Sequence, residues 1–328
     1  MTPTDHGKAR RLVEATATER APSEPSPQGH GEPGEPPAGR EPPAAGADAG
    51  GGLDDLVALG ARPVIRRLVP GYRIARLTDP GGLPEPCREM LGALLLEIST
   101  GAFGTDHSGY WREHMAGFFA NTPELLLVVT DTGRVVGVSS CGRIGLRRGS
   151  ALLIGRTMVL REHQGNGLAS RIFAGMVLDF LRSRARWPLY VTTRTNSPVI
   201  YQGLRRRFGG RNFWPTLTGP PPDEIAEVAA QVVDHRGYQA IYDPVTMKLT
   251  GAYASLAQRY DDMPRCDVPE VNDHFDRTLG PHDAYLVIGR VAPLKLVASL
   301  PLQLAEPLVR TVRRRLPSQR RSARSGTG

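Results

Sequence analysis

The stretch at residues 160–170 reads LREHQGNGLAS and places two glycines, Gly165 and Gly167, just before an apolar run. Glycine lets the backbone approach a ligand closely and turn successive N–H groups toward it. A helix that begins here adds unpaired N–H groups and the positive end of its dipole. Such a loop is suited to bind phosphate groups, and the alternative is a tight strand-to-helix turn that binds nothing.

Two common phosphate-binding motifs do not match this stretch. A dinucleotide-binding G-x-G-x-x-G motif needs a third glycine, whereas Gly167 is followed by Leu168, Ala169 and Ser170. A nucleotide-binding P-loop ends in G-K-[ST], which this stretch lacks. The pattern that does match is [Q/R]-x-x-G-x-[G/A], which begins at Gln164 and ends at Ala169.

The flanking residues predict the elements that would position this loop. Strands predicted at 151–160 and 187–193 flank an amphipathic helix that runs from Gly167 to near Arg184. A strand–helix–strand unit favours a parallel strand pair and a right-handed crossover. The other predicted elements are a kinked strand at 63–77, a helix at 86–99, a helix at 108–121 with Ser108 as its cap, a hairpin at 125–141, a helix at 196–210 that opens with Ser197 and Pro198, and short strands within 238–244 and 246–253. These elements predict a mixed sheet in an α/β domain.

Residues 151–184 resemble the acyl-CoA-binding motif of the GNAT superfamily of N-acetyltransferases, because the six-residue pattern lies between an apolar strand and a long amphipathic helix. The order of predicted elements resembles that of the superfamily over residues 63–210, and the resemblance extends at most to residue 250. The resemblance implies an α/β fold whose mixed, mostly antiparallel central sheet contains a splayed parallel strand pair flanked by helices. It also implies acetyl-CoA, or another acyl-CoA, as co-substrate, and no metal.

The resemblance further assigns site residues. Backbone N–H groups of residues 165–170 would bind the pyrophosphate, and the preceding strand would present main-chain groups to the pantetheine. Tyr201 would protonate the leaving thiolate, although Asn196 and Tyr201 are five residues apart and the family spacing of seven falls on Gly203. In the alternative, Tyr201 only packs and Asn196 only caps a helix. The implied CoA-binding residues are Thr157, Met158, Val159, Gln164, Gly165, Asn166, Gly167, Leu168, Ala169, Ser170 and Asn196.

A general base is harder to assign. The strand at 187–193 lacks the Glu that the superfamily commonly carries there. Acidic and histidine side chains near the predicted first two helices and the loop are candidates, and for each the alternative is a solvated surface position. They are Glu97, Asp106, His107, Glu113, His114, Glu162 and His163. Arginines that could meet CoA phosphates, or simply line a solvated helix face, are Arg161, Arg171, Arg205, Arg206 and Arg207.

Composition predicts four regions. Residues 1–60 form a Pro/Gly/Ala-rich segment with little to bury and are expected to be disordered. An acyltransferase domain is expected at 61–250, an extension that packs on it at 251–300, and an Arg-rich disordered tail at 301–328. The tail holds seven arginines and one acid, so it carries +6 of the net charge of +8. Most of the excess positive charge therefore lies in the tail and not in the expected domain. Because the tail has no aromatic residues between its arginines, we do not expect nucleic acid as a partner.

The leading hypothesis is an acyl-CoA-dependent N-acyltransferase that transfers acetyl to the amine of a small molecule by direct attack. The alternatives are a non-catalytic acyl-CoA sensor and a nucleic-acid-associated protein that acts through its basic tail. Three cysteines without metal-ligand spacing and the absence of a secretory signal favour a cytoplasmic location. We expect no membrane partner, because no run of about 18 apolar residues occurs. A homodimer is possible.

Overall fold

The computed structural model describes residues 52–183, 185–256, 260 and 262–292. The predicted Arg-rich tail and most of the predicted N-terminal segment lie outside these residues. No helix among the described residues is long and apolar enough to cross a membrane. The α-helices are α1 Leu53–Ala58, α2 Glu85–Phe103, α3 Ser108–Ala120, α4 Leu168–Arg182, α5 Pro198–Phe208, α6 Asp223–Arg236 and α7 Pro269–Thr278. The strands are β1 Val64–Val69, β2 Tyr72–Thr78, β3 Glu124–Thr130, β4 Val135–Gly145, β5 Ser150–Val159, β6 Leu189–Thr195, β7 Phe213–Trp214, β8 Tyr242–Asp243, β9 Lys248–Leu249 and β10 Ala284–Arg290.

One central sheet contains all of these strands. Its order is β1-β2-β3-β4-β5-β6-β10-β9-β8, and β7 pairs with β10 to one side of this path. The pair β5–β6 is parallel, and the other pairs between the described strands are antiparallel. The predicted fold class, a mixed and mostly antiparallel sheet with one parallel pair and flanking helices, is confirmed.

Two hydrophobic cores pack on the sheet, and around β5 and β6 they lie on opposite faces. Along β5, Leu152 belongs to a core with residues of α2, α4 and α5, whereas Leu153 belongs to a core with residues of α6, β9 and β10. Successive side chains of a strand point to opposite faces, so at β5 the two cores lie on opposite sides, whereas at β3 the first core includes consecutive residues and lies on both faces. The helices α4 and α5 therefore cover one face, and α6 covers the other.

The helices on either side of β6 begin as their sequences predict. In α4, Leu168, Ile172 and Met176 recur at helical spacing and are buried. At the start of α5, Ser197 Oγ accepts a hydrogen bond from the N–H of Ile200 at 3.5 Å, and Pro198 occupies the first turn. The predicted cap of α3 is wrong, because His107 occupies the N-cap position and Ser108 is the first helical residue.

The predicted single strand at 63–77 is in fact two strands. β1 and β2 form an antiparallel hairpin with Arg66 opposite Ile74. The turn between them contains Gly71, whose φ of +85° is a conformation that glycine adopts readily. Pro70 and Gly71 therefore reverse the chain rather than kink it.

The predicted domain limits need two corrections. Residues 53–58, expected to be disordered within 1–60, form α1, because Leu53 and Leu56 are buried against the core. Residues 284–290, expected in an extension packed on the domain, form β10 in the central sheet beside β6. Six of the seven residues of β10 are buried, which is typical of a strand covered on both faces.

Candidate functional site

The parallel strands separate at one end and open a gap in the sheet. Pairing between β5 and β6 ends at Leu153 opposite Thr192, yet the strands continue to Val159 and Thr195. The free half of β5 stays paired with β4 on its other side. The edges of the two strands that face each other across the gap are therefore open to a ligand.

A β-bulge re-aims β5 at the point where the gap opens. Ser139 pairs with Thr157 and Cys141 with Ile154, so two residues of β5 lie opposite Ser140 alone. The N–H of the second, Arg156, donates to Ser140 Oγ at 3.1 Å. A Cβ on the first, Gly155, would lie 2.2 Å from Ser140 Oγ, so a side chain there would displace this hydroxyl from its contact with Arg156.

A cavity of about 1900 Å³ passes along this gap. Its walls come from the bulged part of β5, the beginning of α4, one side of α3, the end of β6, part of α5, the end of α6 and parts of the segment 253–267. Because α4 and α5 lie on one face of the sheet and α6 on the other, the cavity is reached by groups from both faces. Two ligands could therefore meet in the gap from opposite sides.

The glycine loop forms one end of this cavity. Gly167 is the N-cap residue of α4 with φ +72°, and Gly165 has φ +78°. Within the described chain, the backbone N–H groups of residues 165–170 have no hydrogen-bond partner. Unpaired N–H groups at a helix N-terminus favour an anion. Five of the predicted CoA-binding residues line the cavity here: Gly165, Asn166, Gly167, Ala169 and Ser170.

Gln164 braces the loop from behind. Its Nε2 donates to the carbonyl oxygen of Val159 at 2.8 Å and to that of Ala102 at 3.3 Å. The neighbouring His163 is held by Tyr72, whose hydroxyl lies 2.9 Å from Nδ1. These contacts join the loop to β5, β2 and the end of α2. The loop is therefore fixed before any ligand binds.

Not every predicted CoA-binding residue reaches the cavity. Thr157 and Met158 line it, but Val159 does not. Gln164 serves as the brace, and Leu168 is a core residue that is 2% exposed. The packing partners of these side chains determine where they point. The sequence pattern therefore locates the loop but does not predict which of its side chains face the cavity.

Tyr201 does not lie on the cavity. Its side chain is 1% exposed and packs against the rings of Phe213 and Phe275. Its hydroxyl donates to the carbonyl oxygen of Pro215 at 2.7 Å, and burial raises the pKa of Tyr201 to about 12. The predicted role as an acid for the leaving thiolate therefore lacks the required placement. Asn196 is also buried and does not line the cavity.

Of the candidate bases, His107, Glu113 and His114 line the cavity. His107 is 3% exposed, with Nδ1 bonded to the Ser99 hydroxyl and Nε2 bonded to the Thr105 hydroxyl at 2.8 Å. His114 is half-buried and stacks on the ring of Tyr110 at 4.4 Å. Both ring nitrogens of His107 are thus bonded to hydroxyls. In His114, Nδ1 donates to the carbonyl oxygen of Tyr110 at 2.9 Å, and Nε2 lies on the far side of the ring from this contact.

The other candidate bases lie elsewhere. Glu97 and Glu162 each lie 3.6 Å from Arg134, outside the cavity. Asp106 accepts hydrogen bonds from the backbone N–H of Ser108 at 2.8 Å and from the Ser108 hydroxyl at 3.0 Å, at the start of α3. These two bonds lower the pKa of Asp106. These three carboxylates, like His163 in the loop brace, have structural partners.

Arginines lie beside the glycine loop on the α4 and α5 side. Arg171 and Arg207 line the cavity, and the guanidinium of Arg207 lies 5.3 Å from the ring centre of Phe173. The buried Nε atom of Arg171 has no hydrogen-bond partner within the described residues. Arg206 also lines the cavity and binds Asp267 through two hydrogen bonds of 2.7 and 2.8 Å. Arg161 instead donates to a backbone carbonyl of α2.

Solved proteins of similar structure provide a comparison. No protein-family model matches the sequence, and no curated protein matches it. The structure resembles GNAT-family acetyltransferases. The NatC complex bound to Gag peptide and CoA has 12% identity and a TM-score of 0.34, covering 67% of this chain and 99% of that chain. Mosquito arylalkylamine N-acetyltransferase like 5b has 10% identity and a TM-score of 0.33, covering 66% and 100%. An acetyltransferase from Elizabethkingia anophelis with acetyl-CoA bound has 10% identity and a TM-score of 0.31, covering 66% and 98%.

Several cavity residues were not predicted from the sequence. Arg156 lies among the rings of Tyr110, Trp111 and Phe118, with its guanidinium 4.9–5.2 Å from their centres. One signal for it is present, since Arg156 is the single charged residue of the apolar strand β5. Gln202 also lines the cavity, and its buried Oε1 accepts no hydrogen bond from the part of the chain that the structure describes. No group of three or more metal-ligating side chains occurs among the described residues.

Proposed function

We propose that this protein is an acyl-CoA-dependent N-acyltransferase that transfers an acyl group, in the simplest case acetyl, to an amine. The observation that carries the proposal is the row of unpartnered N–H groups at residues 165–170, at the cavity end formed by the start of α4. A pyrophosphate is a doubly charged ligand that such a row binds well. Arg171 and Arg207 beside it supply further charge for CoA phosphates.

The gap in the sheet suits the rest of the co-substrate. The open edge of β5 around Thr157 and Met158 offers main-chain groups to a chain of amides such as pantetheine. A thioester that enters along this edge would reach the bulge at Gly155 and Arg156 from the α4 side. The acceptor amine would then approach from the opposite face, between α3 and α6.

Direct attack balances without a covalent enzyme intermediate. The neutral amine nitrogen bonds to the thioester carbonyl carbon, the carbon–sulfur bond breaks, and CoA leaves as the thiolate. The nitrogen loses one proton, for which His114 is the proposed acceptor. Because Nδ1 of His114 lies 2.9 Å from the Tyr110 carbonyl oxygen, Nδ1 carries the proton, and the lone pair of the neutral ring is on Nε2.

A small amine is the proposed acceptor. α6 and the segment 238–256 cover the sheet on the side where the acceptor would enter. Such a covered cavity suits a compact molecule. A peptide N-terminus is the second candidate, because the cavity is also reached from α3 and remains open to solvent at Glu113, which is exposed.

Calorimetry with acetyl-CoA, followed by thiol release over a panel of amines, tests the proposal. We expect one acetyl-CoA per chain and thiol release with at least one amine. His114→Gln should keep acetyl-CoA affinity and lower the rate, whereas His235→Gln, at an exposed position outside the cavity, should change neither. Folded protein that binds no acetyl-CoA would refute the proposal. Binding without thiol release from any amine would favour the acyl-CoA sensor instead.

A further inference from the structure

The acceptor side of the cavity carries two arginines that have no counter-charge in the described part of the chain. Arg194, at the end of β6, and Arg236, the last residue of α6, both line the cavity and are half-buried. Neither forms an ion pair with a carboxylate of the described chain. Burial lowers the pKa of Arg236; the nearby Tyr238 acts to raise it, and the positive charge of Arg194 acts to lower it. Two like charges held in one partly desolvated space need an anion to offset them.

The acids of the cavity do not supply that anion. Among the described lining residues, the carboxylates are Glu113 and Asp267. Asp267 is bound by Arg206, and Glu113 is exposed on α3. The described lining offers no other carboxylate, so a bound ligand would have to bring the anion.

The position of Arg194 ties this charge to the reaction site. Thr192 and Arg194 are two residues apart on β6, so their side chains lie on the same face of the sheet, the face that α6 covers. Thr192 is the residue at which the parallel pair ends. Its hydroxyl is buried, lines the cavity and has no hydrogen-bond partner among the described residues, and the side chain as a whole is 2% exposed. An unpartnered hydroxyl next to the arginines indicates that a polar ligand group belongs there.

The walls around the arginines are aromatic and apolar. The guanidinium of Arg194 lies 5.5 Å from the ring centre of Tyr238 and 5.0 Å from that of Tyr253. Val232 and Leu286 complete this part of the lining. The rings hold the guanidinium in place by cation–π contacts and leave its N–H groups for a planar anion.

We propose that the acceptor is an amine that also carries a carboxylate, which Arg194 and Arg236 bind together while Thr192 donates a hydrogen bond beside them. This inference rests on the proposed acyltransfer and specifies its acceptor class. The carboxylate would anchor the molecule on the α6 side, and its amine would point through the gap toward the thioester. The apolar wall suits a short hydrocarbon portion between the two groups.

Matched pairs of amines test the inference: amino carboxylates and the corresponding amino carboxamides, compared by kcat/KM in the thiol-release assay. We expect the carboxylates to be preferred about 10- to 100-fold, the range for a charged hydrogen-bonding pair. Arg194→Gln and Arg236→Gln should each remove most of that preference through KM for the amine and leave acetyl-CoA affinity unchanged. Arg148→Gln, an exposed arginine outside the cavity, is the matched control.

The outcomes separate this inference from the proposed function. Equal kcat/KM for carboxylates and carboxamides, with acetyl-CoA bound and amines acylated, overturns the carboxylate assignment and leaves the acyltransferase intact. Preference for aminophosphonates over carboxylates also overturns it. Failure to bind acetyl-CoA overturns the proposed function itself. Thermal unfolding of both glutamine variants checks that they fold. Binding of an amino carboxylate to the wild-type protein, measured in competition with a second amino carboxylate, provides a readout without turnover.

Discussion

Replacement of Gly167 perturbs the phosphate loop at its most constrained point. With φ +72°, Gly167 holds a left-handed conformation at the N-cap of α4, immediately before the first helical N–H groups. Any L-residue with a side chain pays about 1–2 kcal/mol for this conformation. Gly167→Val adds a β-branched side chain as well, so the loop must either keep the strain or turn its N–H groups away from the cavity.

The expected loss of affinity follows from the hydrogen bonds at stake. The N–H groups of residues 165–170 have no partner within the described residues, and each one that binds a charged phosphate contributes about 1.5–3 kcal/mol. Misdirection of a single N–H group therefore weakens acetyl-CoA binding by about 10- to 150-fold. Gly167→Ala should give the lower end of this range and Gly167→Val the upper end or beyond.

Isothermal titration with acetyl-CoA measures this loss, and Gly219 supplies the matched control. Gly219 has φ +80°, lies outside the cavity and has no neighbouring atom within 4 Å of an added Cβ. Gly219→Ala carries the same backbone strain, so it should lower stability to a similar extent without changing acetyl-CoA affinity. An unchanged Kd in folded Gly167→Val would refute the assignment of the pyrophosphate to this loop.

Three further predictions concern residues outside the loop. Tyr201→Phe removes a hydroxyl that binds a buried carbonyl, so the free energy of unfolding should fall by about 1–3 kcal/mol in urea titrations while turnover stays unchanged; lost turnover at full stability would restore Tyr201 as the acid. Burial raises the pKa of Cys141 to about 12, so a thiol reagent at pH 8 should label the partly exposed Cys266 first, and equally fast labelling of both would contradict this burial. Burial acts to raise the pKa of Asp283, but the contact with Lys248 lowers it overall. The ionised carboxylate therefore stabilises the fold above about pH 4, and this stabilisation is lost as the pH falls through the lowered pKa. Asp283→Asn should therefore unfold more easily at pH 7 and lose less stability on acidification than the wild type, and parallel pH curves would show that the carboxylate contributes nothing.

The elements with strong local signals could be predicted from the sequence. The hairpin of β3 and β4, the strand–loop–helix unit of β5 and α4, and the capped start of α5 lie where turn residues and apolar spacing place them. β10 and α6 also have such signals: a continuous apolar run in β10, and Ile225, Val228 and Val232 at helical spacing in α6. Their pairing and packing are long-range, so the sequence pattern does not indicate that β10 lies beside β6 or that α6 covers the acceptor side.

The site divides in a similar way. Glycines at 165 and 167 mark a local backbone conformation, which a short pattern can reveal. The direction of Tyr201 depends on Pro215 and on aromatic residues from β7 and α7, which no spacing rule around Asn196 contains. Arg194 and Arg236 line the same cavity only because β6 and the end of α6 converge on it. Residues brought together by tertiary contacts alone leave no local pattern.

Hydrogen–deuterium exchange of the backbone amides of residues 165–170 tests the central claim most directly. In the free protein these N–H groups have no partner in the described chain, so they should exchange rapidly. Saturating acetyl-CoA should slow their exchange strongly, whereas S-acetyl-pantetheine, which lacks the pyrophosphate, should leave it nearly unchanged. Exchange at 165–170 that stays fast with acetyl-CoA bound, or that slows equally with S-acetyl-pantetheine, would contradict the binding of the pyrophosphate by this loop.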